Sequence, residues 1–164
     1  MKLRQAIVDD ADAITRIWNT EIREGVSTFN KTEKSVSEVL DIIEARGAAV
    51  LVAVDDDADN DDQVLGFATW AQFRGSVGYR HTFEHTIYLD HTARGCGLGR
   101  DLMQAIENGA RRDGVHVLVA CIGGENDAAV AFHARMGFEH AGHMPEVGRK
   151  FGRWMDLVLM QKLL

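Results

Sequence analysis

The length, composition and charge of the chain favour one folded domain over residues 1–164 and exclude several classes of protein. Its 164 residues suffice for a single hydrophobic core, and 46% hydrophobic with 26% charged residues are globular proportions. A net charge of −7 gives no electrostatic support for binding nucleic acid or an anionic membrane. Two cysteines without CxxC spacing predict neither a zinc cluster nor a disulfide scaffold, so we expect a cytoplasmic protein. An early acidic cluster and the lack of roughly 18 consecutive apolar residues predict neither a signal peptide nor a membrane helix.

Hydrophobic spacing predicts alternating elements in the first third of the chain. Residues 2–8 alternate as a short strand, and the aspartates that follow provide cap oxygens for a helix. In that helix Ala13, Ile14, Ile17 and Trp18 recur at helical spacing. A second helix is predicted over 35–45, ended by Gly47. The apolar, β-branched run 48–54 is typical of a strand buried on both faces.

The remaining elements complete an α/β pattern. We predict strands at 64–72 and 82–90, a helix at 98–112, a strand at 115–122, a helix at 126–136 and final strands near 138 and at 154–161. The order is therefore β-α-α-β-β-β-α-β-α-β-β. It predicts an α/β domain whose central sheet is partly antiparallel.

The acidic run DDDADNDD, residues 55–62, favours a solvated hairpin loop. A calcium loop is the alternative that its spacing weakens. A calcium loop needs Gly at its sixth position and Glu at its twelfth, where this sequence has Asn60 and Gly66.

The segment RGCGLGR, residues 94–100, follows a predicted strand and begins a predicted helix. Glycines allow close backbone approach, and the free N–H groups of a helix's first turn bind phosphate oxygens. A P-loop is excluded because Arg100 and Asp101 replace its Lys and Ser/Thr, and a Rossmann fingerprint because Arg100 replaces its last Gly. The pattern R-x-x-G-x-G remains, either as a diphosphate site or as a simple tight turn.

Other segments extend this pattern to a family resemblance. They are Gly78-Tyr79-Arg80-His81-Thr82 with Glu84, Ile87-Tyr88-Leu89, Asn126, Gly137-Phe138, and Val147-Gly148-Arg149-Lys150-Phe151-Gly152-Arg153-Trp154 with Asp156-Leu157. With the loop, they resemble the GNAT superfamily, specifically its phosphinothricin and methionine sulfoximine or sulfone acetyltransferase branch. The resemblance implies a GNAT-type mixed, mostly antiparallel sheet flanked by helices. It also implies acetyl-CoA as donor, a small amino acid's α-amino group as acceptor, and a homodimer.

Acetyl transfer to an amine requires a base, because an α-ammonium group with a pKa of ~8 is mostly protonated at pH 7. Glu84 lies in a predicted strand, where partial burial would make it a better proton acceptor, although it is equally explained as an exposed acid. The resemblance implies that Glu84 is the general base. His133 stands where many relatives carry a Tyr that reprotonates the CoA thiolate. It is either that acid or a half-buried histidine, in which case solvent supplies the proton.

The resemblance also implies a set of cofactor-binding residues. They are Ile87, Tyr88, Leu89, Arg94, Gly95, Cys96, Gly97, Leu98, Gly99, Arg100 and Asn126. Residues 87–89 can bind through backbone atoms and still be ordinary core residues, and Asn126 is equally a plain helix cap. Cys96 favours a small filler over a nucleophile, because the expected transfer is direct.

The acceptor's carboxylate requires a cation, and Arg74 and Arg80 flank the strand that bears Glu84. The remaining predicted substrate residues are Phe29, Tyr79, His85 and Thr86, together with Glu84 itself. Either arginine could be an ordinary surface residue, and Phe29 could belong to the core. No metal site is predicted, since His81 and His85 lack a third ligand. Two rival functions stay open: a peptide or protein N-acetyltransferase, and a catalytically silent CoA-binding sensor.

Overall fold

The computed structural model describes residues 1–55 and 63–164 of the protein. The predicted acidic loop, apart from Asp55, lies outside the described residues. In chain order the elements are β1 (Lys2–Gln5), α1 (Ala11–Glu24), α2 (Val36–Arg46), β2 (Val50–Val54), β3 (Val64–Gln72), β4 (Thr82–Leu89), α3 (Leu98–Arg112), β5 (Val117–Gly123), α4 (Asp127–Arg135), β6 (Glu139–Lys150) and β7 (Arg153–Leu163). The predicted order of helices and strands is confirmed.

Most differences from the predicted boundaries have local causes. The first strand ends at Gln5 because the backbone N–H of Ile7 donates to the Asp10 carboxylate at 2.7 Å. A 3-10 turn then covers Val8–Asp10. A second 3-10 turn covers Gly47–Ala49, so β2 begins only at Val50. The last two strands run well beyond their predicted lengths, because β6 and β7 pair into a long hairpin that keeps polar, exposed residues extended.

The seven strands form one sheet in the order β1-β2-β3-β4-β5-β7-β6. The pairs are antiparallel except for β4 with β5, as the prediction of a mostly antiparallel sheet requires. One hydrophobic cluster joins α1 and α2 to β2 and β3 on one face, and the other joins α3 to β3, β5 and β7. The sheet is therefore flanked by helices on both faces.

The only parallel strand pair among the described residues, β4 with β5, lies in the middle of the sheet and is paired over only a few residues. β4 and β5 pair at three positions, Thr82 with Val117, Phe83 with Leu118 and Glu84 with Val119. Beyond Glu84, both strands continue but line opposite walls of a cleft. The functional site therefore opens where these central strands separate.

Close packing fixes α3 against the sheet on one side of that cleft. A side chain on Gly109 would put its Cβ 2.5 Å from the Trp70 ring, so glycine lets the helix approach β3. The Trp70 indole also donates to Asp113 at 3.0 Å. Within the described residues, none of the helices has both the length and the apolar character that crossing a membrane demands.

Candidate active site

The cleft has a volume of about 960 Å³ and connects several predicted site residues. Its walls are residues 84–89 of β4, residues 120–122 of β5, and residues 25–28 of the loop after α1. Gly99 at the start of α3 lies along it as well. The geometry of the gap offers two kinds of binding group: a strand edge available for hydrogen bonds and a helix N-terminus available for an anion.

Glu84 lies in the cleft, but its side chain is exposed. The predicted partial burial of this carboxylate is therefore wrong, because β4 is already leaving β5 at this position. The Cys121 thiol on β5 donates to Glu84 Oε2 at 3.5 Å. Burial and the neighbouring carboxylate raise the pKa of Cys121 to about 12, so it remains a protonated donor. Glu84 is consequently a solvent-accessible carboxylate that can accept a proton and that accepts one side-chain hydrogen bond, from Cys121.

Arg46 is a functional candidate that the sequence analysis missed. It ends α2, lines the cleft, and donates to Thr69 Oγ1 at 3.1 Å. Burial lowers the pKa of Arg46, whereas the Glu84 carboxylate raises it. A guanidinium thus lies in the electrostatic field of the Glu84 carboxylate. Nothing in the local sequence distinguishes it from an ordinary arginine at a helix C-terminus.

His85 and His133 form a pair across the cleft, with 3.0 Å between their Nε2 atoms. Because Nδ1 of His133 must donate to the Ala129 carbonyl at 2.7 Å, its Nε2 accepts when the ring is neutral, and His85 Nε2 donates. Burial and His133 lower the pKa of His85 to about 3. Burial also lowers the pKa of His133, and the Ala129 carbonyl opposes that shift. In this arrangement both ring nitrogens of His133 are already hydrogen-bonded.

The glycine loop has the backbone that an anion site requires. Gly95 and Gly97 have φ of 82° and 88°, a left-handed conformation that favours glycine, and α3 begins at Leu98. The Gly97 carbonyl accepts from the amides of Arg100 and Asp101, so these do not face a ligand first. Leu98 and Gly99 supply the first amides of the helix. Leu98 is buried by its side chain and can bind only through its backbone.

The other predicted loop residues lie near this helix start. Arg94 lines the cleft, and its guanidinium is 3.5 Å from Glu21 Oε2. Arg100 is exposed and pairs with Asp101 at 3.4 Å. Cys96 is exposed, with its thiol donating to the Ala93 carbonyl at 3.0 Å. Two cations therefore flank the amides of the loop.

Asn126 is both a helix cap and a cleft residue. Its Oδ1 accepts from the Ala129 amide at 3.0 Å, and its Nδ2 donates to Ser27 Oγ at 3.1 Å. Among the predicted strand residues, Ile87, Tyr88 and Leu89 line the cleft. Burial raises the pKa of Tyr88, and a hydrogen bond with Thr28 opposes this. Asn126 and Tyr88 thus both contact the loop after α1.

Not all the predicted acceptor residues reach the cleft. His85 and Thr86 line it with Glu84, whereas Phe29, Arg74, Tyr79 and Arg80 are not among its lining residues. Arg74 is exposed and lies over Phe73 and Tyr79, at 5.6 and 5.8 Å from the ring centres to its guanidinium carbon. Arg80 donates to His81 Nε2 at 2.8 Å. Their contact with an acceptor stays a prediction.

Phe29 packs outside the cleft, against Gly148 of β6. A Cβ on Gly148 would lie 2.2 Å from the Phe29 ring, so that contact requires glycine. Among residues 1–55 and 63–164, no group of three histidine, cysteine, aspartate or glutamate side chains could hold a metal ion. The expectation that the protein needs no metal stays a prediction.

A family comparison accounts for this combination of a strand gap and a glycine loop. The acetyltransferase (GNAT) domain model matches residues 3–159. The chain belongs to the GNAT acetyltransferase family. It is 40% identical over 162 residues to the L-methionine sulfoximine/L-methionine sulfone acetyltransferase of Pseudomonas paraeruginosa, covering 97% of this chain and 92% of the relative.

Two further similarities support membership of this GNAT branch. The phosphinothricin N-acetyltransferase of Alcaligenes faecalis is 37% identical, over 95% of this chain and 79% of the relative. The structure of yncA, a putative acetyltransferase from Salmonella typhimurium with its cofactor acetyl-CoA, superposes with a TM-score of 0.93 at 36% identity, covering 100% of this chain and 94% of the other. The fold and acetyltransferase class expected from the sequence are confirmed.

Proposed function

We propose that this GNAT acetyltransferase transfers the acetyl group of acetyl-CoA to the α-amino group of a small amino acid. The candidate acceptors are methionine sulfoximine, methionine sulfone and phosphinothricin. The observation that carries the proposal is that Glu84 and the glycine loop border one continuous cleft between β4 and β5. The relatives named for these acceptors support the choice of substrate. Detoxification of such analogues is the biological role that we propose.

The chain's residues fit acetyl-CoA along the whole cleft. The left-handed glycines and the first amides of α3 suit a diphosphate, with Arg94 and Arg100 beside them. The backbone of residues 87–89, on the side of β4 that β5 has left, suits the amide groups of a pantetheine arm. Asn126 can use its side-chain amide there in exchange for Ser27. Bound acetyl-CoA supplies the acetyl thioester.

In the proposed direct transfer, Glu84 takes a proton from the α-ammonium group, either directly or through a water. A bond then forms from nitrogen to the acetyl carbon and the carbon–sulfur bond breaks. The nitrogen gives up its second proton, which passes through solvent to the departing thiolate, and the first proton stays on Glu84 until solvent removes it. Exposure of Glu84 allows that last exchange. His133 can return a proton to the departing thiolate only after giving up its hydrogen bond with His85, so solvent remains the simpler donor.

The acceptor's carboxylate requires a cation near Glu84. Arg74 and Arg80 belong to the connection between β3 and β4, and we propose that they bind the acceptor's carboxylate at the entrance of the cleft. Phe29 and Tyr79 are our proposed apolar contacts for the acceptor. Arg46 is the guanidinium inside the cleft. Because the carboxylate is only two bonds from the amine, a cation in the field of Glu84 is well placed to bind it.

We also propose a homodimer. The hairpin of β6 and β7 exposes large apolar side chains: Met144, Val147, Phe151 and Trp154. Such a patch on a folded surface is typical of a protein interface. Light scattering combined with gel filtration measures the mass directly, and a monomer at micromolar concentration would contradict this part of the proposal.

The function is tested by CoA release from acetyl-CoA with a panel of free amino acids, the three analogues and short peptides. We expect turnover of the free analogues, and Glu84→Gln to lower kcat by about 10²- to 10⁴-fold. Glu125→Gln serves as the matched control, because Glu125 is an exposed glutamate in the turn just before α4. Faster turnover of peptides favours a peptide acetyltransferase, and CoA binding without any turnover favours a sensor. Equal kcat for Glu84→Gln and wild type would contradict the assignment of the base.

A further inference from the structure

Lys150, the last residue of β6, is a buried lysine with an unusual set of partners. Only 2% of the residue is exposed, and its Nζ donates to three backbone carbonyls: Gly25 at 2.6 Å, Thr28 at 2.9 Å and Glu21 at 3.3 Å. Those bonds use the three N–H groups of the ammonium. Burial lowers the pKa of Lys150, and the nearby Glu21 carboxylate opposes that shift. Burying an ammonium group costs free energy, and the three hydrogen bonds offset that cost by fixing the backbone segment that accepts them.

The carbonyls that Lys150 binds belong to the end of α1 and the loop that follows it. The C-terminus of a helix carries partial negative charge and unpaired carbonyls, so a lysine stabilises it. Residues 25–28 of that loop form one wall of the cleft, which we call the α1 wall. Lys150 itself is not among the lining residues. It therefore contacts the back of the wall and not the substrate.

The α1 wall is also fitted closely to its surroundings. A Cβ on Gly123 would lie 2.1 Å from the Val26 carbonyl oxygen. Ser27 donates to Glu21 Oε1 at 2.6 Å and accepts from Asn126, and Thr28 contacts Tyr88. The wall thus meets the middle of the cleft, where the proposed thioester and amine must come together. A small displacement there changes the distance between two reacting groups.

We propose that Lys150 is a positioning residue that holds the α1 wall at the distance required to bind the acceptor. This inference rests on the proposed function. The tip of the β6–β7 hairpin thereby sets the width of a cleft that lies between β4 and β5. Acetyl-CoA has the glycine loop and the backbone of residues 87–89 to bind it as well, so the acceptor is the substrate that depends more on Lys150.

The test replaces Lys150 with Met, which keeps the aliphatic stem and removes the ammonium. We expect KM for methionine sulfoximine to rise about tenfold or more, with kcat within about threefold and KM for acetyl-CoA within about twofold of wild type. Lys162→Met is the matched control, because the Lys162 ammonium is likewise hydrogen-bonded but lies away from the cleft. It donates to the Glu107 carboxylate and to the Met136 carbonyl. We expect its kinetic constants to match wild type.

A second variant reaches the α1 wall from another direction. Gly148→Ala forces the Phe29 ring, which directly follows the wall, to move. It should therefore accelerate amide exchange of residues 25–28 in the same way, even if Lys150→Met does not fold. Amide hydrogen exchange of residues 25–30 should accelerate at least tenfold in Lys150→Met and remain unchanged in Lys162→Met. Unchanged acceptor KM and exchange in folded Lys150→Met overturn the inference, as does an equal loss in both KM values.

The wild-type measurements separate this inference from the proposed function. If wild type turns over none of the amines, the proposed function fails, while accelerated exchange in Lys150→Met would still place the lysine as the clamp of the wall. If wild type is active but Lys150→Met changes neither amide exchange nor acceptor KM, the positioning role of Lys150 fails and the proposed function stands.

Discussion

The two cysteines, Cys121 beside Glu84 and Cys96 in the glycine loop, differ in accessibility and therefore in expected reactivity. Cys96 is exposed, whereas Cys121 is half-buried with a pKa raised to about 12 by burial and by Glu84. At pH 8 only about 10⁻⁴ of Cys121 is the reactive thiolate. We expect iodoacetamide at pH 8 to modify Cys96 and leave Cys121 intact, as measured by peptide mass spectrometry.

Saturating CoA should protect Cys96 from iodoacetamide, because the reagent and the diphosphate compete for the same loop. Cys96→Ala serves as the control and should take up no label at low reagent concentration. Labelling of Cys121 at the same rate as Cys96 would contradict the protonated state that we assign to the thiol beside the base.

His85 couples the stability of the protein to pH. Its pKa falls from an ordinary value near 6.5 to about 3 on folding, chiefly through burial. Between these values the unfolded chain binds the proton and the folded chain does not, so stability is complete above pH 6.5 and is lost as the pH falls towards 3. The full effect is on the order of 5 kcal/mol.

The measurement is urea unfolding between pH 7 and 4.5 for wild type and His85→Leu. We expect the free energy of unfolding of wild type to fall as the pH falls and that of the variant to fall less steeply. The slope that remains in the variant comes from His133, whose pKa burial also lowers. Asp90 does not obscure this window. Although burial alone would raise its pKa, hydrogen bonds from Arg16 and Thr92 lower it to about 2. Parallel curves for the two proteins would show that His85 is not the group that titrates.

At the scale of elements, we expect the start of α3 to bind the diphosphate of acetyl-CoA because Gly95 and Gly97 have positive φ. Gly97→Ala places a Cβ at φ of 88°, where a side chain costs about 1–2 kcal/mol and turns the loop amides away. We expect Gly97→Ala to raise KM for acetyl-CoA about tenfold, measured by initial rates with acceptor saturating.

Gly114, at the other end of α3, provides the matched control. It also has positive φ, 73°, and nothing lies within 4 Å of an added Cβ. Gly114→Ala should lose similar thermal stability while KM for acetyl-CoA stays at the wild-type value. Equal KM changes in both variants would mean that general destabilisation, and not loop geometry, weakens acetyl-CoA binding.

How well an element or site was predicted depends on how local its cause is. The bounds of α3 and β3 are predicted at both ends, because the hydrophobic spacing that determines them lies within each segment. The glycine loop is predicted for the same reason. Cys121 lies 37 residues from Glu84 and meets it only through the pairing of β4 with β5. Neither that contact nor the place of Arg46 can be found from local spacing.

On the scale of the whole molecule, the cleft divides the sheet at its centre, between β4 and β5. The central pair β4 and β5 is joined at three positions, whereas β3 and β4 are joined at seven. The hydrophobic cluster that contains α3 spans that division, because it includes buried residues of both β3 and β5. A ligand that fills the gap from the glycine loop to Glu84 adds contacts to both sides.

Free CoA should therefore stabilise the folded protein measurably. At a concentration 100 times its Kd, linkage alone gives about 2.7 kcal/mol, which for a chain of this length raises Tm by roughly 5–10 °C. Differential scanning fluorimetry with Kd taken from calorimetry tests this. Pantetheine, which lacks the diphosphate, should give a smaller shift at equal concentration, and Gly97→Ala should reduce the shift with CoA. Equal shifts for CoA and pantetheine would contradict the assignment of the diphosphate to residues 94–100, because the loop's amides would then contribute nothing to holding the two sides of the sheet.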